Sequence, residues 1–234
     1  MKGMASTVFI TGAAGNLGRA VANAFAQRDA NLVLVDVQRT ALEKAFGTDT
    51  DRRLLAATNL LEQAAADATV SKALERFGRI DVVCNIAGGF RMGPAVHETK
   101  DADWNFLFDL NAKTVLHVSR AAVPAMLRSG GGKIVNVGAY AAQKGAAAMG
   151  AYIASKSAVI RITETMAAEL REKNINVNCV LPTIIDTPEN RAAMPQADPR
   201  RWVAPQDLAA VIVFLASEAA RAVHGAAIPV TGLS

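Results

Sequence analysis

Thr7-Val-Phe-Ile-Thr-Gly-Ala-Ala-Gly-Asn-Leu-Gly18 is the stretch from which the rest of the chain can be read. Residues 7–10 are β-branched or apolar and read as a strand, and residues 17–27 carry apolar side chains at helical spacing. Between them stand Gly12, Gly15 and Gly18. Glycines at such a junction allow a tight turn and let the backbone approach an anionic group held at the helix N-terminus. An ordinary βα turn also uses glycine, so the reading depends on the rest of the chain.

Downstream of the turn the chain alternates regularly. Residues 32–35, 53–56, 80–84, 133–137, 175–181 and 226–230 read as strands. Residues 61–77, 102–127, a segment starting near Tyr152, and 205–217 read as helices, with a kink expected at Pro124. Alternating strands and helices predict right-handed crossovers, hence an α/β doubly wound fold: a parallel β-sheet flanked by helices on both faces. No repeat or linker interrupts the pattern, which predicts one domain over residues 1–234. Residues 183–203 hold three prolines and little periodicity, and a loop of that length is expected to be functional.

Composition removes several function classes. Apolar residues make up 51% and charged residues 20%, and the net charge is +4. The basic residues are scattered, and the pairs Arg52-Arg53 and Arg200-Arg201 are too small for a nucleic-acid footprint. No apolar run is long enough for a bilayer, and the N-terminus reaches a strand before a leader could fit. A soluble, cytoplasmic protein is expected. Cys84 and Cys179 lie in apolar runs and read as buried free thiols; the three histidines are far apart, so no metal site is expected.

The second strand ends at Asp36, eighteen residues after Gly18. A carboxylate there accepts hydrogen bonds from both ribose hydroxyls of an adenosine and repels a 2′-phosphate, which favours NAD over NADP. Arg39 stands near enough to keep NADP as the alternative. Further on, both tyrosines of the chain are followed at i+4 by lysine, Tyr140 by Lys144 and Tyr152 by Lys156. Val159, Ile162, Met166 and Leu170 continue a helical period after Tyr152, so Lys156 falls one turn along the same helix face. Tyr140 follows a strand and Gly145 follows Lys144, which leaves that pair without a fixed register. A phenol ordinarily titrates near pH 10, and a neighbouring ammonium lowers that value, so Tyr152 and Lys156 are the expected catalytic pair.

In combination, Thr11, Gly12, Gly18, Asn85-Ile-Ala-Gly88, Asn111, Tyr152-x-x-x-Lys156 and Pro182 resemble the short-chain dehydrogenases/reductases, in order over almost the whole chain. The resemblance implies a Rossmann-type domain and hydride transfer between NAD(H) and a small organic substrate. It implies that Asn111 supports a proton relay and that Lys156 also holds the cofactor ribose. Thr11, Gly12, Gly15, Asn16, Leu17, Gly18, Asp36, Asn59, Asn85, Ala87, Gly88, Tyr152, Lys156, Pro182 and Thr187 would then surround the cofactor. Asn16 departs from the usual glycine, and Thr183 stands where glycine is usual. The long helices at 102–127 and 152–173 match those that pair in family dimers and tetramers, so a homodimer or homotetramer is expected.

A second departure is more informative. Family members carry a serine thirteen residues before the tyrosine, as a donor to the substrate carbonyl; here that position is Ala139. Losing a donor aimed at developing negative charge costs roughly a hundredfold or more in rate. Dihydropteridine reductases share that absence, and Asp186-Thr-Pro-Glu-Asn-Arg191, Met194-Pro195 and Trp202 are similar to the corresponding loop there. The expected substrate is therefore a small molecule, with a quinonoid compound as one reading. A carbonyl reductase or alcohol dehydrogenase, or a dinucleotide-binding sensor without catalysis, are the alternatives. Ala139, Phe90, Arg91, Arg191, Met194 and Trp202 are expected to line a fairly apolar substrate pocket.

Overall fold

In the computed structural model, which describes residues 5–234, seven strands form one sheet. They are β1 (Thr7–Thr11), β2 (Asn31–Asp36), β3 (Arg53–Ala57), β4 (Val82–Asn85), β5 (Gly132–Val137), β6 (Ile175–Pro182) and β7 (Ala227–Val230). Their order is β3-β2-β1-β4-β5-β6-β7, and each neighbouring pair runs parallel. The strand order therefore reverses between β1 and β4, and a crevice opens there at the carboxyl ends of the strands. The expectation about a leader segment falls partly on residues 1–4, outside the described residues.

Period-two alternation explains why both faces are covered. Val8, Ile10, Leu32 and Leu34 enter one core layer, whereas Phe9, Val33 and Val35 enter the other. The first layer is closed by α1 (Asn16–Ala26), α2 (Arg39–Phe46) and α8 (Pro205–Leu215) through residues such as Val21, Leu42 and Ile212. The second is closed by α3 (Gln63–Phe77), α5 (Thr114–Arg128) and α6 (Gly150–Leu170) through Val70, Met126 and Leu170. Fully burying one such side chain stabilises by about 1.5–3 kcal/mol.

Two local expectations are corrected, and one helix is added. The helix expected over 102–127 is split into α4 (Asp101–Phe108) and α5 by a π-helical stretch, Asp109–Lys113, while Pro124 lies inside α5. A π turn adds a residue to one helical turn, and Asn111, at its centre, is buried. The expected loop at 183–203 contains α7 (Pro188–Ala193) and a 3-10 turn, Pro199–Arg201. Pro188 occupies the first turn, where its missing N–H costs nothing, and Thr187 Oγ1 accepts from Asn190 N–H at 3.2 Å as the N-cap. Helix α2 has one buried residue, Leu42, so it leaves almost no apolar period; the Arg39–Glu43 pair helps to hold it.

Candidate active site

A cleft of about 1030 Å³ runs along the carboxyl ends of the strands on both sides of the β1/β4 reversal. That exceeds the upper end of ordinary small-ligand pockets, so it has room for a cofactor and a substrate side by side. Gly12, Gly15, Asn16, Leu17, Gly18, Asp36, Asn59, Ala87, Gly88, Pro182 and Thr187 all line it, as do Tyr152 and Lys156.

The glycine turn is closely built. Gly12 adopts φ +61°, and a Cβ there would lie 2.9 Å from the Ala87 backbone. A Cβ on Gly18 would lie 2.1 Å from the Gly12 carbonyl oxygen. Only glycine lets strand, turn and helix come this close, leaving the N-terminus of α1 open to the cleft. Asn16 donates to Glu189 Oε2 at 2.8 Å, which ties the turn to α7. At the end of β2, Asp36 accepts from Ala14 N–H at 3.0 Å and Val37 N–H at 2.8 Å. Arg39 is turned away from the cleft: it donates to Glu43 at 2.8 Å, Leu55 C=O at 2.6 Å and Asp49 at 2.5 Å.

These residues fit a nicotinamide dinucleotide: a cradle that any Cβ would fill, a helix N-terminus for the phosphates and a carboxylate where the adenosine ribose would lie. Two residues expected among its contacts stand behind the wall. Thr11 is buried and its Oγ1 accepts from the Ile86 and Ala87 N–H groups at 2.9 and 3.0 Å, which shapes the loop after β4. Asn85 is buried too and donates to Asn136 Oδ1 at 2.8 Å across β4 and β5. Strand alternation puts both side chains on the sheet face of Phe9 and Val83, and neither lines the cleft.

At the other end, α6 presents Tyr152 and Lys156 from one face, and the Phe90 ring meets that of Tyr152 edge-on at 4.9 Å. Lys156 is buried and its Nζ donates to Val137 C=O at 2.8 Å. Asn111 accepts from Gly89 N–H at 2.8 Å and donates to Gly89 C=O at 3.1 Å and Ser155 Oγ at 3.0 Å. A Cβ on Gly88 would lie 2.9 Å from Asn111 Oδ1 and 3.0 Å from Lys156 Nζ, so these groups meet at one point. Tyr140 lies in a 3-10 turn, Tyr140–Gln143, and Lys144 is extended, so that pair shares no helix face.

The expected lowering of the Tyr152 pKa is not what this structure shows. Burial pushes the phenol up to about 12 and the Lys156 ammonium down to about 8. Both charged forms lose hydration in an apolar wall. In the ligand-free protein this couples stability to pH. Between pH 8 and 10.5 the unfolded chain holds the Lys156 proton that the folded chain has released, so stability rises with pH across that window. Urea unfolding at pH 7.5 and 10 should show this rise in wild type and a flatter profile in Lys156→Met.

Of the expected substrate contacts, Ala139, Phe90 and Met194 line the cleft. Arg91 does not: it pairs with Asp103 and its guanidinium lies over the Phe106 ring, 4.3 Å from the centroid. Arg191 is held by both oxygens of Asp186 at 2.6 and 2.7 Å. Trp202 is a buried core residue rather than a wall of the cleft. Ala139 is itself buried against Val159, Ile160 and Leu181. Apart from Tyr152, Tyr140 is the one side chain with a hydroxyl between Val137 and Ile153. Met92, Met149 and Ile184 also line this end. The segment 89–92 is expected at the pocket from its place after a strand, but Met149 and Ile184 are not, because an isolated apolar residue in a loop carries no pattern.

Among known proteins, the family model described as short chain dehydrogenase matches residues 6–198. The chain is 32% identical over 235 residues to a D-threitol dehydrogenase of Mycolicibacterium smegmatis, covering 95% of this chain and 90% of that protein. It is 33% identical over 237 residues to a 3-oxoacyl-[acyl-carrier-protein] reductase of Thermotoga maritima, covering 95% of each. Among solved structures, a carveol dehydrogenase from Mycobacterium avium in complex with NAD superposes with a TM-score of 0.89 at 28% identity, covering 97% of this chain and 96% of that one.

Proposed function

The chain belongs to the short-chain dehydrogenase family, and from that premise we propose that it is an NADH-preferring reductase or dehydrogenase of a small carbonyl or alcohol. The observation that carries this reading is the meeting of Tyr152, Lys156 and Asn111 at one end of a cleft whose other end holds the glycine turn and Asp36. When bound, the nicotinamide dinucleotide supplies or takes up the hydride. Tyr152 gives the proton to the substrate oxygen in reduction. Its phenol, held near 12, keeps that proton at neutral pH, which suits a donor more than a base. Lys156 and Asn111 orient the groups around it and connect the site to the backbone, Lys156 at Val137 and Asn111 at Gly89.

Arg39 supports the cofactor preference. A 2′-phosphate would face Asp36 without help from Arg39, since three acceptors already hold its guanidinium. A homodimer or homotetramer fits the exposed Leu116 and Leu127 on α5 and Trp104 and Phe106 on α4. Among the described residues no helix is long and apolar enough to cross a membrane, and no group of three or more metal-ligating side chains forms.

One observation favours a second reading. Ala139 places no hydroxyl beside Tyr152, so an acceptor that spreads incoming charge over a conjugated system, such as a quinonoid ring, needs less polarisation than a simple ketone. Turnover of wild type and Ala139→Ser on ketones and quinonoid acceptors, with NADH and NADPH in parallel, tests both. NADH should give at least about tenfold higher kcat/KM than NADPH, since a carboxylate facing a phosphate costs over about 1 kcal/mol at close range. Ala139→Ser should raise ketone turnover if the hydroxyl is missing, and should change nothing if Tyr140 already replaces it. Equal use of both cofactors would sink the preference.

A further inference from the structure

The substrate end of the cleft is largely apolar, and its one charged lining side chain is the buried Lys156. The lining around Tyr152 is Phe90, Met92, Ala139, Met149, Ile184 and Met194. Among the described residues, the whole cleft is lined by two charged side chains. Asp36 belongs to the far end, and Lys156 is buried with its Nζ donated to Val137 C=O. The arginines that chain position brings nearest are both committed elsewhere: Arg91 to Asp103 and the Phe106 ring, and Arg191 in a bidentate pair with Asp186.

Polar side chains on the same wall are committed too. Thr187 Oγ1 caps α7, Asn190 Nδ2 donates to Ile185 C=O at 2.8 Å, and Thr183 Oγ1 donates to Thr231 C=O at 2.9 Å. This leaves the Tyr152 and Tyr140 hydroxyls and the rest of the Asn190 amide as side-chain partners for a substrate. A carboxylate or phosphate moved into this wall would lose its hydration without a partner, and each extra hydroxyl would lose one on a smaller scale.

The apolar wall is also held in place. Gly93 N–H donates to Ala148 C=O at 2.8 Å, which sets the Met92 and Met149 segments side by side. Ala148 there adopts φ +59°, a conformation costing an alanine about 1–2 kcal/mol. Phe90 and Met92 remain 58% and 62% exposed, large apolar surface at the mouth of a cleft rather than in the core. Thioethers with three rotatable bonds fit apolar ligands of irregular outline.

From this we infer that the site selects an uncharged, largely apolar substrate carrying a single carbonyl or hydroxyl group, and rejects acids, phosphates and polyols of the same size. The inference rests on the reading of the cleft as an active site, but its test does not need turnover. Methyl 4-oxocyclohexanecarboxylate and its free acid differ at neutral pH by one charge on nearly the same frame. Calorimetric titration of each into the NAD+-loaded protein, where no hydride is available to reduce a ketone, measures binding alone.

The ester is expected to bind at least about tenfold tighter than the acid, and Met194→Arg, which puts a free cation on the wall, should reverse that order. Ala193→Lys provides a second route to the same reversal should Met194→Arg fold poorly. Equal or tighter binding of the acid to wild type would overturn the inference, as would failure of the ester to bind. In a parallel assay with NADH, tight binding of the ester without NADH oxidation would instead count against the catalytic reading and leave the selectivity standing.

Discussion

Tyr152→Phe is expected to lower turnover by about a hundredfold or more while NADH binding stays within about twofold. The ring would keep its edge-on packing against Phe90 and its place beside Ala139, so little beyond the hydroxyl changes. Tyr152 is mostly buried among apolar groups, and burial raises its phenol pKa to about 12; its hydroxyl makes no hydrogen bond among the described residues, so removing it should leave the fold intact. Tyr140→Phe, on an exposed 3-10 turn, should cost much less. Steady-state rates of both variants beside fluorescence titration with NADH decide between them. If Tyr140→Phe is the more damaging change, the proton donor is Tyr140 and α6 only frames the site.

Gly18→Ala should destabilise the protein by about 3 kcal/mol and weaken NADH binding by more than about tenfold. Its Cβ would lie 2.1 Å from the Gly12 carbonyl oxygen and 2.7 Å from Ala13 Cα. These are backbone atoms, and a backbone cannot turn aside as a flexible side chain can. Helix α1 would have to move away from β1, taking with it the N–H groups that face the cleft. Gly145→Ala is the control, since nothing lies within 4 Å of its Cβ position and its φ is not in the left-handed region. Urea unfolding and NADH titration of the pair give both quantities. A Gly18→Ala protein of wild-type stability and affinity would show that the turn is looser than this geometry requires.

Local chemistry was enough for much of the fold. The order of strands and helices came from runs such as Thr7–Thr11 and Asn31–Asp36, each ended by glycine or an acid. The choice of Tyr152 over Tyr140 came from helical period alone, because i and i+4 meet only on a continuous helix. Elements held by few buried residues were not legible in the same way. Helix α2 buries Leu42 alone, and α7 is a short capped turn among prolines.

Side-chain direction and partner choice belonged to the tertiary structure. Arg91, Arg191 and Arg39 stand in segments that border the cleft, yet each faces a carboxylate of its own neighbourhood. Thr11 and Asn85 belong to the family pattern, but their hydrogen bonds to the loop after β4 and to Asn136 hold the wall that other residues form. The π turn at Asp109–Lys113 carries Asn111 to Gly89 and Ser155, a contact between segments far apart in sequence. Periodicity in the sequence determined which segments become strands and helices and which tyrosine has a lysine beside it, since hydrophobic spacing acts within a few residues. Which side chains face the cleft, which cations are free and how dry the wall is were decided only by packing, since burial and pairing depend on residues brought together from elsewhere in the chain.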